Sequence, residues 1–195
     1  MNRADRKRWA SARTLADLGN LTAQWLEGDI MSQPAYAPNC GPDEETCPLT
    51  GALAACNRAG FVTDCSQPGY SGDGTWEQRA AVEGFASPGV LGRILRETDG
   101  TGLIVIAQRS SRRRVRYGKA HVVTRHNGAA YTRFGAQLPR RDLRDPHVGY
   151  GICHADAVDA LCRAFRVTVI DPRWGRNDLL WPALERFAAQ EVRAS

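Results

Sequence analysis

The stretch from Pro48 to Phe85, PLTGALAACNRAGFVTDCSQPGYSGDGTWEQRAAVEGF, restricts the fold of this 195-residue chain more than any other. Leu49, Leu53 and Cys56 recur at helical spacing, Thr46 can cap their helix, and Gly60 stands where a left-handed residue would end it. Phe61, Val62 and Thr63 then read as a short buried strand. Asp64 to Gly74 reads as a polar loop, with turn chemistry at Gln67-Pro68-Gly69 and Asp73-Gly74. Thr75 with Gln78 three residues later is a capping box, which predicts a helix from about Trp76 carrying Arg79 in its first turn. A polar loop that leaves a strand and feeds a helix N-terminus is where α/β proteins hold ligands, because unpaired N–H groups and the helix dipole converge there.

The flanking chain reads in both periods. Arg3 to Leu26 predicts one helix with Trp9, Ala12, Leu15, Leu18, Thr22 and Trp25 inward and Gly28 as its stop. Residues 29–47, with Pro34, Pro38, Gly41, Pro42 and the acidic run Asp43-Glu44-Glu45, read as an irregular connection, so the organisation is 1–28, 29–47 and a single domain over 48–195. Ser87-Pro88 starts a helix that stops near Gly100, and Leu103 to Ala107 reads as a central strand. The period then becomes two: Val115 and Tyr117 alternate with Arg114 and Arg116, Val122 and Val123 form a strand, and Asn127-Gly128 is a hairpin turn before Ala129 to Phe134. Pro139 to Pro146 is an Arg-rich loop, His154 to Ala164 a helix, Val167 to Ile170 a strand ending at Asp171, and a last helix begins near Asp178 with Leu184, Phe187 and Ala188 inward. This order predicts an α/β or α+β fold, a mixed sheet with an antiparallel basic meander and helices packed on it.

Charge is divided along the chain. Net charge is +5, yet eleven residues from 109 to 144 are basic against one acid, Asp142. Six cysteines, at 40, 47, 56, 65, 153 and 162, form no C-x-x-C pair, and the start of the chain is charged where a signal peptide needs an apolar run. Reduced thiols in a cytoplasm are the expected state, with no metal, no cofactor and no membrane span.

Each candidate for chemistry has a structural reading beside it. Thr63, Ser66, Gln67, Gly69, Gln78 and Arg79 would surround the expected helix N-terminus as a polar ligand site, with Asp64 as general acid or base. They would equally cap and bend the loop. Asp171, with Trp174, Arg176 and Asn177, follows the second strand. If strands 61–63 and 167–170 run side by side in parallel, both loops face one crevice. Cys65 would be an exposed nucleophile only if the fold brought His154 and Asp171 to it; a structural thiol is the simpler reading.

Asn57-Arg58-Ala59-Gly60-Phe61, Thr63-Asp64, Ser66-Gln67-Pro68-Gly69 and Gln78-Arg79, with Arg13 to Leu18 and Asp171 to Asp178, resemble segments of an actinobacterial domain family of unknown function. The resemblance extends over most of the chain and implies a cytoplasmic actinobacterial setting. It lends no activity and no catalytic residue.

Two functions follow from these readings. The first is a small cytoplasmic enzyme acting on a polar, anionic or nucleotide-like small molecule at the loops 64–79 and 171–178, with Arg79 or Arg176 as anion clamp. The alternative is a nucleic-acid or acidic-partner binding protein using the basic segment 109–144, chiefly Arg112, Arg113, Arg114, Arg116 and Lys119. Alternate arginines on a strand point to opposite faces, so one partner would meet only part of that run.

Overall fold

The computed structural model describes residues 1–34, 36–72, 74–111 and 120–192. Its centre is a strand where the sequence predicts a helix. β1 (Val62–Gln67) continues past Thr63, a short β2 (Tyr70–Ser71) follows, and β3 (Trp76–Ala86) returns antiparallel to both. Thr75 and Gln78 thus lie in and beside a hairpin, and no helix starts at Trp76. A capping box is worth about 1 kcal/mol. Against it stands the burial of every residue from Ala80 to Ala86, in a strand with neighbours on both edges. Packing of that extent overrides a local preference. Gly84 shows how closely the strands approach, since a Cβ there would lie 2.4 Å from the carbonyl oxygen of Val62.

All the named strands pair antiparallel. β4 (Ile104–Arg109), β7 (Phe165–Trp174), β3, β5 (His121–His126) and β6 (Ala129–Phe134) follow one another in that order, with β1 and β2 on β3. The C-terminal part of β3 sits between β1 and β7, its N-terminal part between β2 and β5, and a register shift at Arg79/Ala81 separates the two. β1 and β7 therefore run in the same direction but are not neighbours, because β3 lies between them. Asp171 is also inside β7 and not beyond its end.

The expected central strand, β4, is an edge strand. It is apolar on both sides because Leu103 and Val105 pack with the helices while Ile104 and Ile106 pack with Val123 and Phe134. The β5–β6 hairpin turns at Asn127 and Gly128, with φ of 49° and 76°, as that dipeptide predicts. Arg112 to Lys119, including the expected Val115 and Tyr117 alternation, lie outside the described residues.

Helices cover this sheet. α2 (Leu15–Leu26), α3 (Thr50–Arg58) and α7 (Leu180–Val192) share a core with Val82, Val167 and Val169, to which α4 (Pro88–Thr98) adds Ile94. α1 (Arg3–Ser11) and α6 (Ala155–Arg163) share another with Val62, Phe85 and Tyr150. The single N-terminal helix is in fact two: Thr14 accepts from Asp17 N–H and Asp17 accepts from Thr14 N–H, both at 3.0 Å, a capping box that starts α2. Gly60, with φ of 90°, ends α3, and Ser87 caps α4. The Arg-rich loop contains the short α5 (Arg140–Arg144). Among the described residues no helix is long and apolar enough to cross a membrane.

The connection after α2 is pinned by indoles. Trp9 Nε1 donates to the Ser32 carbonyl at 2.8 Å, Trp25 Nε1 donates to that of Cys40 at 3.0 Å, and Tyr36 meets the Trp25 ring edge-on. The strap formed by residues 30–34 and 36–43 is thereby held against the body of the protein.

Candidate functional site

A bulge in β1 builds the site. Asn57, buried on α3, donates to Thr63 Oγ1 at 2.6 Å and accepts from Thr63 N–H at 3.0 Å, which fixes the strand just before its register shifts between Thr63 and Cys65. Asp64 is the residue within that shift. Across β3, Arg166 on β7 extends over the Phe85 ring and donates to Asp64 Oδ2 at 3.0 Å and to Glu83 Oε2 at 2.5 Å. Glu83 also accepts from Thr168 Oγ1 at 2.7 Å and from the N–H of Gly135. Three adjacent strands thus contribute one ionic cluster, whose side chains are 19% (Asp64), 5% (Glu83) and 11% (Arg166) exposed.

The cluster is incompletely satisfied. Asp64 Oδ1 and Arg166 Nε are buried without a hydrogen-bond partner. Burial raises the Asp64 carboxyl above its ordinary value, the Glu83 charge adds to the rise, and Arg166 opposes it. Burial works against the Arg166 charge too, but the two acids outweigh it and hold the guanidinium above its ordinary value.

Asp64 also stands between two clefts beneath the strap. One, about 230 Å³, is lined by Gln33, Tyr36, Leu138, Tyr150 and Arg166 together with Asp64. The other, about 80 Å³, carries Trp25, Asp43, Thr63, Cys65 and Ser66 on its walls and again includes Gln33, Tyr36 and Asp64. Burial raises the Tyr36 and Tyr150 hydroxyls, with Asp43 adding to the first and Asp64 to the second, so both are protonated hydrogen-bond donors. The arrangement is chemically a carboxyl with raised proton affinity, a second carboxylate and a guanidinium beside it, and phenols in the lining of the clefts.

The remaining expected ligand residues are drawn together, but mostly with one another. Gln67 is buried, donates to the carbonyls of Arg79 (3.0 Å) and Val123 (2.9 Å) and accepts from Thr124 Oγ1 at 3.0 Å. Asn177 clasps the Gly69 backbone, accepting from its N–H at 2.7 Å and donating to its carbonyl at 2.8 Å, so the turn between β1 and β2 and the loop after β7 do meet. Arg176 forks onto Asp171. Arg79 donates to the Val122 carbonyl at 3.0 Å and lies over Trp174. Gln78 donates to Glu45 Oε2 at 3.1 Å.

Cys65, His154 and Asp171 are not assembled. His154 caps α6, its Nδ1 accepting from Asp156 N–H at 3.2 Å, and Asp171 is held by Arg176. Burial, with the Asp64 and Glu83 charges, pushes the Cys65 thiol up to about 12, the opposite of what a nucleophile requires. All six cysteines are free thiols, so the short loop between Cys40 and Cys47 is not closed by a bridge. Among the described residues no three His, Cys, Asp or Glu side chains converge as a metal site would need.

Glu83, Arg166, Gln33, Tyr36 and Tyr150 were not expected in a site. A signal for two of them is present in the sequence: Glu83 interrupts the apolar run Ala80 to Ala86, and Arg166 directly precedes Val167 to Ile170. Both become conspicuous once each run is read as a buried strand, because a buried charge requires a partner.

No curated protein matches the sequence. The profile of one domain of unknown function, DUF6919, matches residues 4–191. That match includes nearly all of α1 and α7 and everything between them, and the chain belongs to the DUF6919 family.

Proposed function

We propose that the protein is a small cytoplasmic enzyme in which Asp64 exchanges a proton with a polar small molecule bound in the clefts under Gln33 and Tyr36. The observation that carries this reading is the Asp64 carboxyl itself: the residue lines both clefts, its Oδ1 is buried without a partner, and a second carboxylate shares its arginine. A carboxyl raised by burial holds a proton more readily than a free one and can exchange it with a bound group, which is the work of a general acid or base. Arg166 and Glu83 are positioning residues that hold it.

The charge balance narrows the ligand. One guanidinium faces two acids here, and the arginines expected to clamp an anion are held elsewhere, Arg176 by Asp171 and Arg79 by Val122 and Trp174. The reading is therefore a ligand that offers an N–H or O–H to Oδ1, such as the base or sugar of a nucleoside, in preference to its phosphate.

The test is mass spectrometry of small molecules released by denaturing natively purified protein, with Asp64→Asn in parallel. The wild type is expected to release a compound that the variant lacks while both melt cooperatively. A folded Asp64→Asn protein that retains the same compound would overturn the assignment. The alternative, a polyanion bound by the basic segment, predicts steep loss of DNA or RNA binding with salt and indifference to Asp64→Asn.

A further inference from the structure

The two faces of the ribbon formed by β2, β3 and β5 carry opposite chemistry. Side chains alternate across a strand. The pairs Trp76↔His126, Gln78↔Thr124 and Tyr70↔Gln78 put those residues on one face, and Glu77↔Arg125 with Arg79 fall on the other. On that other face two cations lie against one ring, Arg79 at 4.2 Å and Arg125 at 4.6 Å from the centre of Trp174.

The first face gathers aromatic rings, and no Lys or Arg is among the described residues that line its cleft. A cleft of about 440 Å³ is lined by Glu45, Pro68, Tyr70, Trp76 and Gln78. Tyr70 is 49% exposed and Trp76 37%, and Trp76 is steadied by His126 stacked at 4.2 Å and by Tyr131 edge-on at 5.0 Å. Large aromatic side chains gathered in one exposed patch, and not scattered singly, mark a binding surface. Among the described residues Glu45 is the one charged residue of the lining, and Gln78 Nε2 holds its carboxylate at 3.1 Å.

We propose that this cleft binds a small organic cation of the quaternary or methylated ammonium class, with Trp76 and Tyr70 as walls and Glu45 as counter-charge. The ring quadrupole attracts a cation, and a weakly hydrated methylated ammonium also gains from apolar contact with the rings and Pro68. An anion would be repelled by Glu45. A neutral apolar ligand would desolvate that carboxylate without compensation. A sugar needs amide and carboxylate groups free to fork onto vicinal hydroxyls, and here the Gln78 amide is already bonded to Glu45.

The test is calorimetric titration of the intact protein with choline, with its neutral isostere 3,3-dimethylbutan-1-ol and with glucose. Choline is expected to bind one to one, about tenfold or more tighter than the alcohol, with glucose silent. Glu45→Gln, on an exposed segment, is expected to bring choline close to the alcohol without lowering the melting temperature. Asp64→Asn should bind choline as the wild type does, which separates this cleft from the one beneath the strap. Equal affinity for choline and the alcohol, binding of glucose in place of choline, no heat with choline, or no effect of Glu45→Gln would each overturn the proposal.

Discussion

Among the described residues, Arg166 and Arg176 answer buried carboxylates, and they do so unequally. Arg176 gives Asp171 a matched fork, Nε to Oδ2 at 2.6 Å and Nη2 to Oδ1 at 2.7 Å, and the N–H of Arg173 adds 2.9 Å to Oδ1. One charge meets one charge, and both oxygens are served. Arg166 divides its fork between Asp64 and Glu83, and Asp64 Oδ1 has no partner. The first pair behaves as a fastening at the end of β7. The second retains hydrogen-bonding capacity and an excess of negative charge beside a cleft, which is what a site for chemistry requires and a fastening does not.

The largest expected effect comes from removing Arg166. Arg166→Met leaves two buried acids without their cation and should cost about 3–5 kcal/mol in urea denaturation at neutral pH. The loss should shrink on acidification, as Asp64 takes up the proton that replaces its partner. Asp171→Asn should cost less at every pH, since it removes the charge but keeps the shape of a fully matched pair. Equal losses would mean that the two clusters are energetically alike.

A smaller effect tests the raised Asp64 carboxyl. A group whose proton affinity is higher in the folded state stabilises fully below its ordinary value of 3.8 and loses that contribution as pH rises through the folded value. The stability of the wild type relative to Asp64→Asn should therefore be greatest in acid and fall with rising pH, read from urea midpoints at a series of pH values. A difference that grows with pH would show the carboxyl to be lowered, with Arg166 dominant over burial.

The smallest effect is on a neighbouring thiol. Cys40, Cys47 and Cys65 all reach solvent, but only Cys65 sits against the ionic cluster, which with burial pushes it to about 12. Iodoacetamide at pH 7 should label Cys40 and Cys47 well before Cys65, followed by peptide mass spectrometry. Asp64→Asn should speed labelling of Cys65 alone. Labelling of all three at one rate would remove the electrostatic distinction.

How far the sequence could be read is visible in particular residues. Gly60, Ser87 and Asn127-Gly128 were legible because each needs only its immediate neighbours to act: a left-handed backbone, a cap, a turn. Thr75 and Gln78 spoke as clearly for a helix, and the strand prevailed because β1, β7 and β5 bury and pair what the local signal leaves exposed. Gln67 fits a ligand loop by sequence, yet it ties three strands together, so its polarity serves the sheet. Asp64 was legible as a candidate, but its partners were not, since Glu83 is 19 residues away and Arg166 is 102.

What the sequence determined alone is a set of local units: the α3 to β1 turn, the Ser87 cap of α4, the β5–β6 hairpin, the absence of zinc spacing and the polar character of the segment after Thr63, whereas Thr46 does not cap α3, which starts after Leu49 without a side-chain cap. What only the tertiary structure decided is which polar groups are used up and which remain. Hydrogen bonds between Asn177 and the Gly69 backbone and from Arg176 to Asp171 consume two expected contacts, whereas the bulge at Asp64 leaves one oxygen over. The physical reason is that a side chain's spare bonding capacity is set by what lies within about 3 Å of it, and in a sheet those neighbours come from strands far apart along the chain.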